Sequence, residues 1–387
     1  MSQSLFSKKE KKMSNEELIL SLEQSVEKVH TQSLDLSFNE LLDMYTNDEL
    51  DINPDYQRLF RWSQGAQSRF IESLLLEMPV PPIYVVESEM GKYQLIDGLQ
   101  RFSSYLHLRG KLSAEHLEPK INEGDFLELQ ECDIVPDLNG YKYENLPTSL
   151  KIRLKRAFVR VEVVRKGSDN KFRYHMFKRL NTGGEALTNQ QLRNCTIRML
   201  DSTFIDFVIR MSRSSNFKEC TSNISKQQGL GSFDQELVLR YFSLKNYRQN
   251  FVHDVADFLT EYMEAISDPE NDEITFNYEE EERIFEKLFL VLNRALGDKS
   301  FGRSGRTGIQ SNFSVYHFES ICTGLVSKLD EINPEDPSHI EKLRESLEEV
   351  KGDPDFIEVT TGGGKNSPGP LNRRIQIIIN KLEGLAL

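Results

Sequence analysis

Several features are scarce in this 387-residue sequence, and each scarcity excludes a class of protein. Its four cysteines lie far apart with no CxxC pair, which excludes a disulfide framework and a zinc ribbon. No apolar run approaches the ~20 residues that a membrane helix needs, and the first twenty residues lack the apolar core of a signal peptide. We therefore expect a reduced, cytoplasmic protein with no membrane partner.

The residues of common hydrolase and nucleotide-binding motifs are also missing. The seven histidines form no HExxH, and no serine lies in a GxSxG. Three glycines at 362–364 precede Lys365, but the motif GxxxxGK[ST] needs glycine where Val359 lies and Ser or Thr where Asn366 lies. We therefore interpret this run as a loop and not as a Walker-type phosphate site.

The charge is distributed unevenly. There are 48 Lys and Arg against 61 Asp and Glu, a net charge of −13, yet residues 147–179 carry a local charge of +9. This basic island predicts contacts to nucleic-acid phosphates from Lys151, Lys155 and Arg156. The alternative is that these residues only solvate a helix and a strand and pair with the acidic remainder of the chain.

The apolar pattern divides the chain into three parts: an N-terminal tail and helix (1–35), a mixed α/β domain (36–200) and a helical domain (201–387). Capping boxes at Ser14–Glu17 and Ser37–Glu40 begin the first two helices. Beyond Leu200 the apolar period is helical almost throughout. The predicted fold class is α+β, an α/β domain followed by an all-α domain. Helices are predicted at 64–77, 99–108, 149–157, 201–212, 235–246, 252–265, 279–296, 315–329 and 372–382, and strands at 83–86, 93–96 and 158–164.

The strongest local signal is the turn Asp97–Gly98, where a predicted strand ends and a helix begins. Amide groups and the dipole at a helix N-terminus attract anions, Gly98 lets backbone approach a ligand closely, and Arg101 can fork onto phosphate oxygens. Asp97 can hold Mg²⁺ or orient a water. The alternative, which local chemistry alone favours, is a turn capped by Asp97 with a solvated Arg101.

Two further segments are rich in polar and aromatic side chains. In residues 54–62, aromatic and guanidinium planes could stack on a base while Gln57 reads its edge; alternatively, Tyr56, Phe60 and Trp62 anchor a core. In residues 177–193, Thr188 is predicted to cap a new helix. The high density of Asn, Gln and Arg in that segment has no explanation from local structure.

Taken in order, the segments PDYQRLFRW, FIESLLLEMPVPPIYV, YQLIDGLQR and FKRLNTGGEALTNQQLRN resemble the DGQQR-motif domain at the N-terminus of GmrSD-type and SspE-type restriction proteins. That domain is related in fold to ParB and sulfiredoxin. The resemblance implies a ParB/sulfiredoxin-like fold and a nucleoside-triphosphate site that uses Mg²⁺ held by Asp97. Leu99 departs from the family, which commonly has Gln there, at a position predicted to face away from Asp97 and Arg101. The implied catalytic residues are Asp97, Gln100 and Arg101, and the implied nucleotide-binding residues are Tyr56, Gln57, Arg58, Gly98 and Asn181.

The same resemblance implies a function in bacterial defence against phage. The leading interpretation is a subunit that hydrolyses a nucleoside triphosphate, contacts DNA through the basic island, and acts with a separate effector or nuclease. Residues after 200 lack the His pair, Asn and acidic neighbours of an HNH nuclease, so a self-contained nuclease is not expected. The alternative is a catalytically silent interaction or regulatory subunit, antitoxin-like or scaffold-like, of such a system.

Overall fold

The computed structural model divides the chain into two compact units, residues 1–183 and 184–387, which we call the N-terminal unit and the helical unit. This division lies upstream of the predicted change of period near Leu200, because the helix after Thr188 packs within the helical unit. The structure describes residues 14–27, 30–52, 60–88, 91–166, 168, 176, 179–180, 188–198, 200–252, 254–271, 274–305 and 308–384.

A five-stranded mixed sheet with helices forms the N-terminal unit. Its strand order is β1-β5-β3-β4-β2, with β3 antiparallel to β4 and parallel to β5. The predicted mixed α/β character of this region is therefore confirmed. The helices are α1 (Asn15–Glu27), α2 (Phe38–Thr46), α3 (Gln64–Leu75), α4 (Leu99–Leu108) and α5 (Thr148–Arg156). The strands are β1 (Thr31–Ser37), β2 (Leu50–Asp51), β3 (Ile83–Glu87), β4 (Tyr93–Asp97) and β5 (Phe158–Val164).

The two predicted strands 83–86 and 93–96 form a hairpin, and the helix predicted at 99–108 follows it. β3 and β4 pair antiparallel, with a register shift between Tyr84 and Val85 that brings Tyr84 opposite Asp97. The chain then enters α4, which buries Leu99 and Phe102 in the core. The burial of Leu99 agrees with its predicted orientation away from the turn. This packing fixes the strand end and the first turn of α4 beside each other.

The edge strands β1 and β2 lie outside the predicted strands. In β1 only Leu34 and Leu36 alternate with polar residues, a pattern too short to stand out from a loop. The strand forms because seven residues pair antiparallel with β5, Leu34 opposite Val161 and Leu36 opposite Val159. Tertiary pairing therefore overrides a weak local preference.

Among the described residues of the helical unit, the regular elements are helices apart from one small hairpin, as predicted for the C-terminal region. The core combines aliphatic side chains with a dense set of aromatic rings, such as Phe285 against Phe289 with centroids 4.5 Å apart. Among the described residues, none of the helices has both the length and the apolarity to cross a membrane. The helices are α6 (Asn189–Ile197), α7 (Thr203–Ser212), α8 (Ser215–Cys220), α9 (Lys226–Leu230), α10 (Phe233–Asn246), α11 (Val255–Ser267), α12 (Tyr278–Leu296), α13 (Val315–Leu325), α14 (Pro337–Gly352), α15 (Pro354–Thr360) and α16 (Pro368–Glu383). The hairpin strands are β6 (Ser304–Gly305) and β7 (Gly308–Ile309).

Candidate functional site

The turn between β4 and α4 requires glycine for two reasons. Gly98 has φ 105° and ψ 10°, in the left-handed region. A Cβ atom on it would lie 2.8 Å from the Ile83 side chain. Gly98 itself is the N-cap residue and makes no side-chain cap bond, so Asp97 is not the N-cap of α4 as the alternative interpretation supposed.

Asp97 and Arg101 meet directly across this turn. The Arg101 Nη2 atom lies 2.8 Å from Asp97 Oδ2 and also donates to the Pro82 carbonyl oxygen at 3.0 Å. Only 15% of the Arg101 side chain and 32% of the Asp97 side chain are exposed, so Arg101 is not a solvated surface residue. A cation in the first turn of a helix opposes the helix dipole, and the Asp97 carboxylate offsets that cost.

Gln100 ties the turn to the segment around Trp62. Its side-chain Oε1 accepts hydrogen bonds from the backbone N–H of Arg61 at 3.0 Å and of Trp62 at 3.1 Å. Phe60 is fully buried, which confirms that residue as a core anchor, and the Trp62 ring packs edge-on against Phe70 with centroids 5.9 Å apart. The predicted catalytic Gln100 therefore holds a neighbouring loop through hydrogen bonds to its backbone.

A second polar contact supports the same loop, and sequence reasoning missed it. Gln67 Nε2 donates to the Trp62 carbonyl oxygen at 2.9 Å, and Gln67 Oε1 lies 2.7 Å from His107 Nδ1. Burial lowers the pKa of His107 to about 4, which keeps the imidazole neutral near pH 7. His107 lies two helical turns after Gln100 on α4, and that spacing is the signal that could have identified it.

Asp97 is the residue predicted to hold Mg²⁺. Among the described residues, no three His, Cys, Asp or Glu side chains cluster in a way that could hold a metal ion. Mg²⁺ is commonly bound through one or two carboxylates together with substrate phosphates. Asp97 fits that mode as a single carboxylate whose Oδ2 is already paired with Arg101. Mg²⁺ binding at Asp97 stays a prediction.

Four of the predicted nucleotide-binding residues lie outside the described residues: Tyr56, Gln57, Arg58 and Asn181. The structure brings together Asp97, Gly98, Gln100 and Arg101 at one turn. The convergence of the remaining four with this turn stays a prediction.

Part of the basic island is already committed to internal contacts. Lys151 Nζ donates to the Glu144 carbonyl oxygen at 2.7 Å and lies 5.7 Å from the centre of the Tyr143 ring. Lys155 and Arg156 are exposed and form no ion pair with a described residue. Of the three predicted nucleic-acid contacts, these two keep their charge available to an outside partner. Other island residues pair with acids: Arg153 with Glu77, Arg160 with Asp35 and Arg165 with Glu87.

The polar side chains after Thr188 form a buried network in the helical unit. Thr188 caps α6 as predicted, in a capping box with Gln191. Arg193 donates to Gln190 Oε1 at 2.8 Å and to the Ala256 carbonyl oxygen at 3.0 Å, and Gln190 donates to Asn194 at 2.9 Å. The density of Asn, Gln and Arg in this segment is thus explained by packing of α6.

Comparison with known proteins identifies the segment that contains this turn. Residues 38–198 match the family model of the GmrSD restriction endonuclease N-terminal domain. The predicted resemblance to GmrSD-type domains is confirmed over that segment, and the match indicates a component of a restriction-type anti-phage system. Neither the curated proteins nor the solved structures gave a match.

Proposed function

We propose that this GmrSD-type domain binds a nucleoside triphosphate at the β4–α4 turn and hydrolyses it, with a ParB/sulfiredoxin-like fold around the site. One observation carries the proposal: Asp97, Gly98 and Arg101 meet at the N-terminus of a ten-residue helix. Helix amide groups, a glycine that permits close approach and an arginine together suit a phosphate group.

The ion pair suggests how the two charged side chains would work. A phosphate competes well with a carboxylate for a guanidinium, since both accept two parallel hydrogen bonds from it. When Arg101 turns to phosphate, Asp97 is released to hold Mg²⁺ or to orient the attacking water. The metal would supply neutralisation of charge on the phosphate oxygens. Arg101 would stabilise the charge that develops on the transferred phosphoryl group.

The contact of Gln100 with residues 61 and 62 supports the participation of Gln57 and Arg58. Arg58 precedes Arg61 by three residues, a stretch of chain that spans at most about 11 Å. Gln100 therefore anchors the end of the aromatic and arginine segment at the predicted phosphate site. We propose that Tyr56, Gln57 and Arg58 contact the nucleotide from this side and that Asn181 lines the same cleft.

We further propose that the domain contacts DNA and acts with a separate effector or nuclease. The exposed Lys155 and Arg156 support a phosphate contact. The lack of an HNH set after residue 200 supports cleavage by a partner. In this scheme nucleotide hydrolysis is coupled to the activity of the partner protein, and the domain binds DNA through electrostatic contacts to phosphates.

A phosphate-release assay on the full chain, with and without DNA, tests the hydrolysis. The wild type should turn over a nucleoside triphosphate in the presence of Mg²⁺. Asp97→Asn and Arg101→Lys should lower the rate by ~10³-fold or more, because lysine cannot reproduce the guanidinium fork. Arg69→Lys on α3 is the matched control, since the ion pair of Arg69 with Glu131 is solvent-exposed. Normal turnover by both site variants would refute the proposed site.

The catalytically silent subunit is the second candidate, and the Arg101 contacts favour it. Arg101 Nη2 already bonds to Asp97 and to the Pro82 carbonyl oxygen, so the pair has a structural role without any ligand. Under this alternative, the wild type shows no turnover under any condition. The two site variants would then differ from the wild type only in stability.

A further inference from the structure

The N-terminal unit contains an open groove that the proposed nucleotide site does not use. It has a volume of about 760 Å³ and lies between α5, the segment after α3 and the paired ends of β1 and β5. Its apolar floor includes Met78, Ile152 and Phe158, all exposed, with 68% of Phe158 accessible to solvent. Adjacent exposed apolar side chains of this kind commonly mark a binding surface.

The rim of this groove is basic. Arg153, Arg156 and Arg160 line it, while the acids Glu77 and Asp35 pair with Arg153 and Arg160. Both pairs are solvent-exposed and contribute little to stability, so they can exchange partners readily. Arg156 has no ion-pair partner among the residues that the structure describes. An acidic, apolar segment would complement this rim and floor.

The helix α1 has the complementary chemistry. Leu18, Ile19 and Leu22 form an apolar stripe at helical spacing, and Leu22 is 64% exposed. All side chains of residues 14–23 are exposed, including Glu16, Glu17 and Glu23. An isolated helix of 13 residues is only marginally stable in water. We therefore expect the apolar stripe of α1 to pack against a partner surface.

We propose that α1 of one copy docks into the groove of a second copy, so that two chains exchange helices reciprocally. Each copy supplies one acidic helix and one basic-rimmed groove, and mutual exchange satisfies both in a closed two-fold dimer. At 1.5 Å per residue, α1 is about 20 Å long, enough to cover the groove with its apolar stripe. Glu16 and Glu23, which flank the stripe on one side, then face the arginine rim, and Lys155 is the exposed cation of α5 that stays available to DNA.

The link between α1 and β1 favours exchange over docking within one chain. His30 is fixed beside β5, since its backbone N–H donates to Ser168 Oγ at 3.0 Å and its carbonyl oxygen accepts from Arg165 at 2.8 Å. Only residues 28 and 29 separate this anchor from α1. The groove, however, lies at the opposite end of β1, near the pairing of Ser37 with Phe158. Own-chain docking would need a full reversal within that short link.

Cross-linking between two chains that each carry one added cysteine tests the exchange directly. Each full-length chain keeps its four native cysteines, which are buried, so that the added thiol is the single exposed one among the described residues. The Leu22→Cys chain is mixed with the Ile152→Cys chain and oxidised. Such a disulfide can form only between chains. We expect a cross-linked dimer well above the yield for Leu22→Cys mixed with Ile134→Cys, which places the thiol on an exposed apolar position outside the groove. Equal yields in the two mixtures would overturn the proposal.

Mass measurement by light scattering provides the second arm. The wild type should be a dimer, and Leu22→Glu or Ile152→Glu should weaken it by at least about tenfold, because each places a charge where an aliphatic side chain is buried. Ile134→Glu should leave the dimer unchanged. A monomeric wild type, or a dimer that resists both variants, would contradict the exchange. A monomer whose Leu22→Cys, Ile152→Cys double variant closes an internal disulfide would show own-chain docking instead.

Discussion

Two arginine clusters, one in each unit, show how burial decides what a charged side chain can do. In the N-terminal unit, Arg101 pairs with one carboxylate, Asp97, which is one-third exposed. In the helical unit, Glu319 lies between Arg240 and Arg374, and the Glu319 and Arg374 side chains are 2% and 1% exposed. The first pair can exchange its partner for a ligand at modest cost. The second cluster is committed to the fold.

Each charged side chain of the cluster Arg240, Glu319 and Arg374 in the helical unit has more than one polar partner. Arg240 lies 2.6 Å from Glu319 and 2.8 Å from Glu236, and Arg374 also donates to the Lys365 carbonyl oxygen at 2.7 Å. Buried charges are tolerated when every charge has partners. The cluster also meets Arg193 through Glu236 at 3.6 Å, which joins α6 to the helical core.

The largest expected effect is on this buried cluster. Glu319→Gln keeps the shape but leaves two guanidinium groups short of negative charge, and we expect a loss of about 3–5 kcal/mol in the free energy of unfolding. Chemical denaturation followed by far-ultraviolet circular dichroism measures it. Glu335→Gln is the control, because Glu335 pairs with Arg294 at an exposed position and should change stability by less than about 0.5 kcal/mol. Equal losses of stability in the two variants would show that the buried cluster contributes no more to the fold than an exposed ion pair.

Arg101 should matter for stability as well as for activity, but less than Glu319. From sequence alone its loss is expected to leave the fold intact, whereas the structure gives it an ion pair and a backbone hydrogen bond in a mostly buried position. We expect Arg101→Ala to cost about 1–3 kcal/mol. The single tryptophan, Trp62, lies in the same unit and reports its unfolding by fluorescence. An Arg101→Ala variant as stable as the wild type would support the expectation from sequence that Arg101 contributes little to the fold.

The sequence predicts those parts of the fold and the candidate site that depend on local patterns, and not those that depend on long-range contacts. The strand end at Asp97, helix α4 and strand β5 carry strong local patterns, and the structure has them at the predicted bounds or within one residue. β1 depends on pairing with β5, which no local pattern reveals. The DGLQR residues were predicted to be near one another, but the bonds of Gln100 to residues 61 and 62 depend on a contact 38 residues away. Likewise, nothing local distinguishes the buried Arg193 from a surface arginine.

Acid should destabilise both units through one histidine in each, the buried His317 and the half-buried His107. Burial lowers the pKa of His317 to about 3 and that of His107 to about 4. Below pH 6.5 the unfolded chain binds protons that the folded chain does not, so this stability is complete above pH 6.5 and is lost as the pH falls towards these values. At pH 5 each histidine should account for about 2 kcal/mol.

Replacement of either histidine checks that assignment. His317→Asn should flatten the pH dependence of unfolding of the helical unit between pH 6.5 and 5, and His107→Asn should do so for the N-terminal unit. Each variant serves as the control for the other, since the two histidines lie in different units. An unchanged slope in both variants would show that other groups control the acid transition.

The smallest expected effect concerns two lysines on one helix, one with an internal hydrogen bond and one exposed to solvent. On α5, Lys151 bonds to the Glu144 carbonyl oxygen, whereas Lys155 is exposed and has no ion-pair partner in the described part of the chain. If the basic island binds DNA phosphates, Lys155→Ala should reduce the slope of log affinity against log salt by about one unit. Lys151→Ala should reduce it by less, because Lys151 must first give up its internal hydrogen bond.

Fluorescence anisotropy with a labelled duplex over a range of salt concentrations measures both slopes. Lys342→Ala in the helical unit removes the same charge from outside the basic island and controls for the change in net charge. A salt-independent affinity, or an equal slope for all three variants, would mean that the island serves the fold and not DNA. A smaller salt slope in Lys151→Ala alone would mean that DNA binds Lys151 in spite of its internal hydrogen bond. In that case an internal partner would not decide which lysine binds a ligand, in contrast to the arginines compared above.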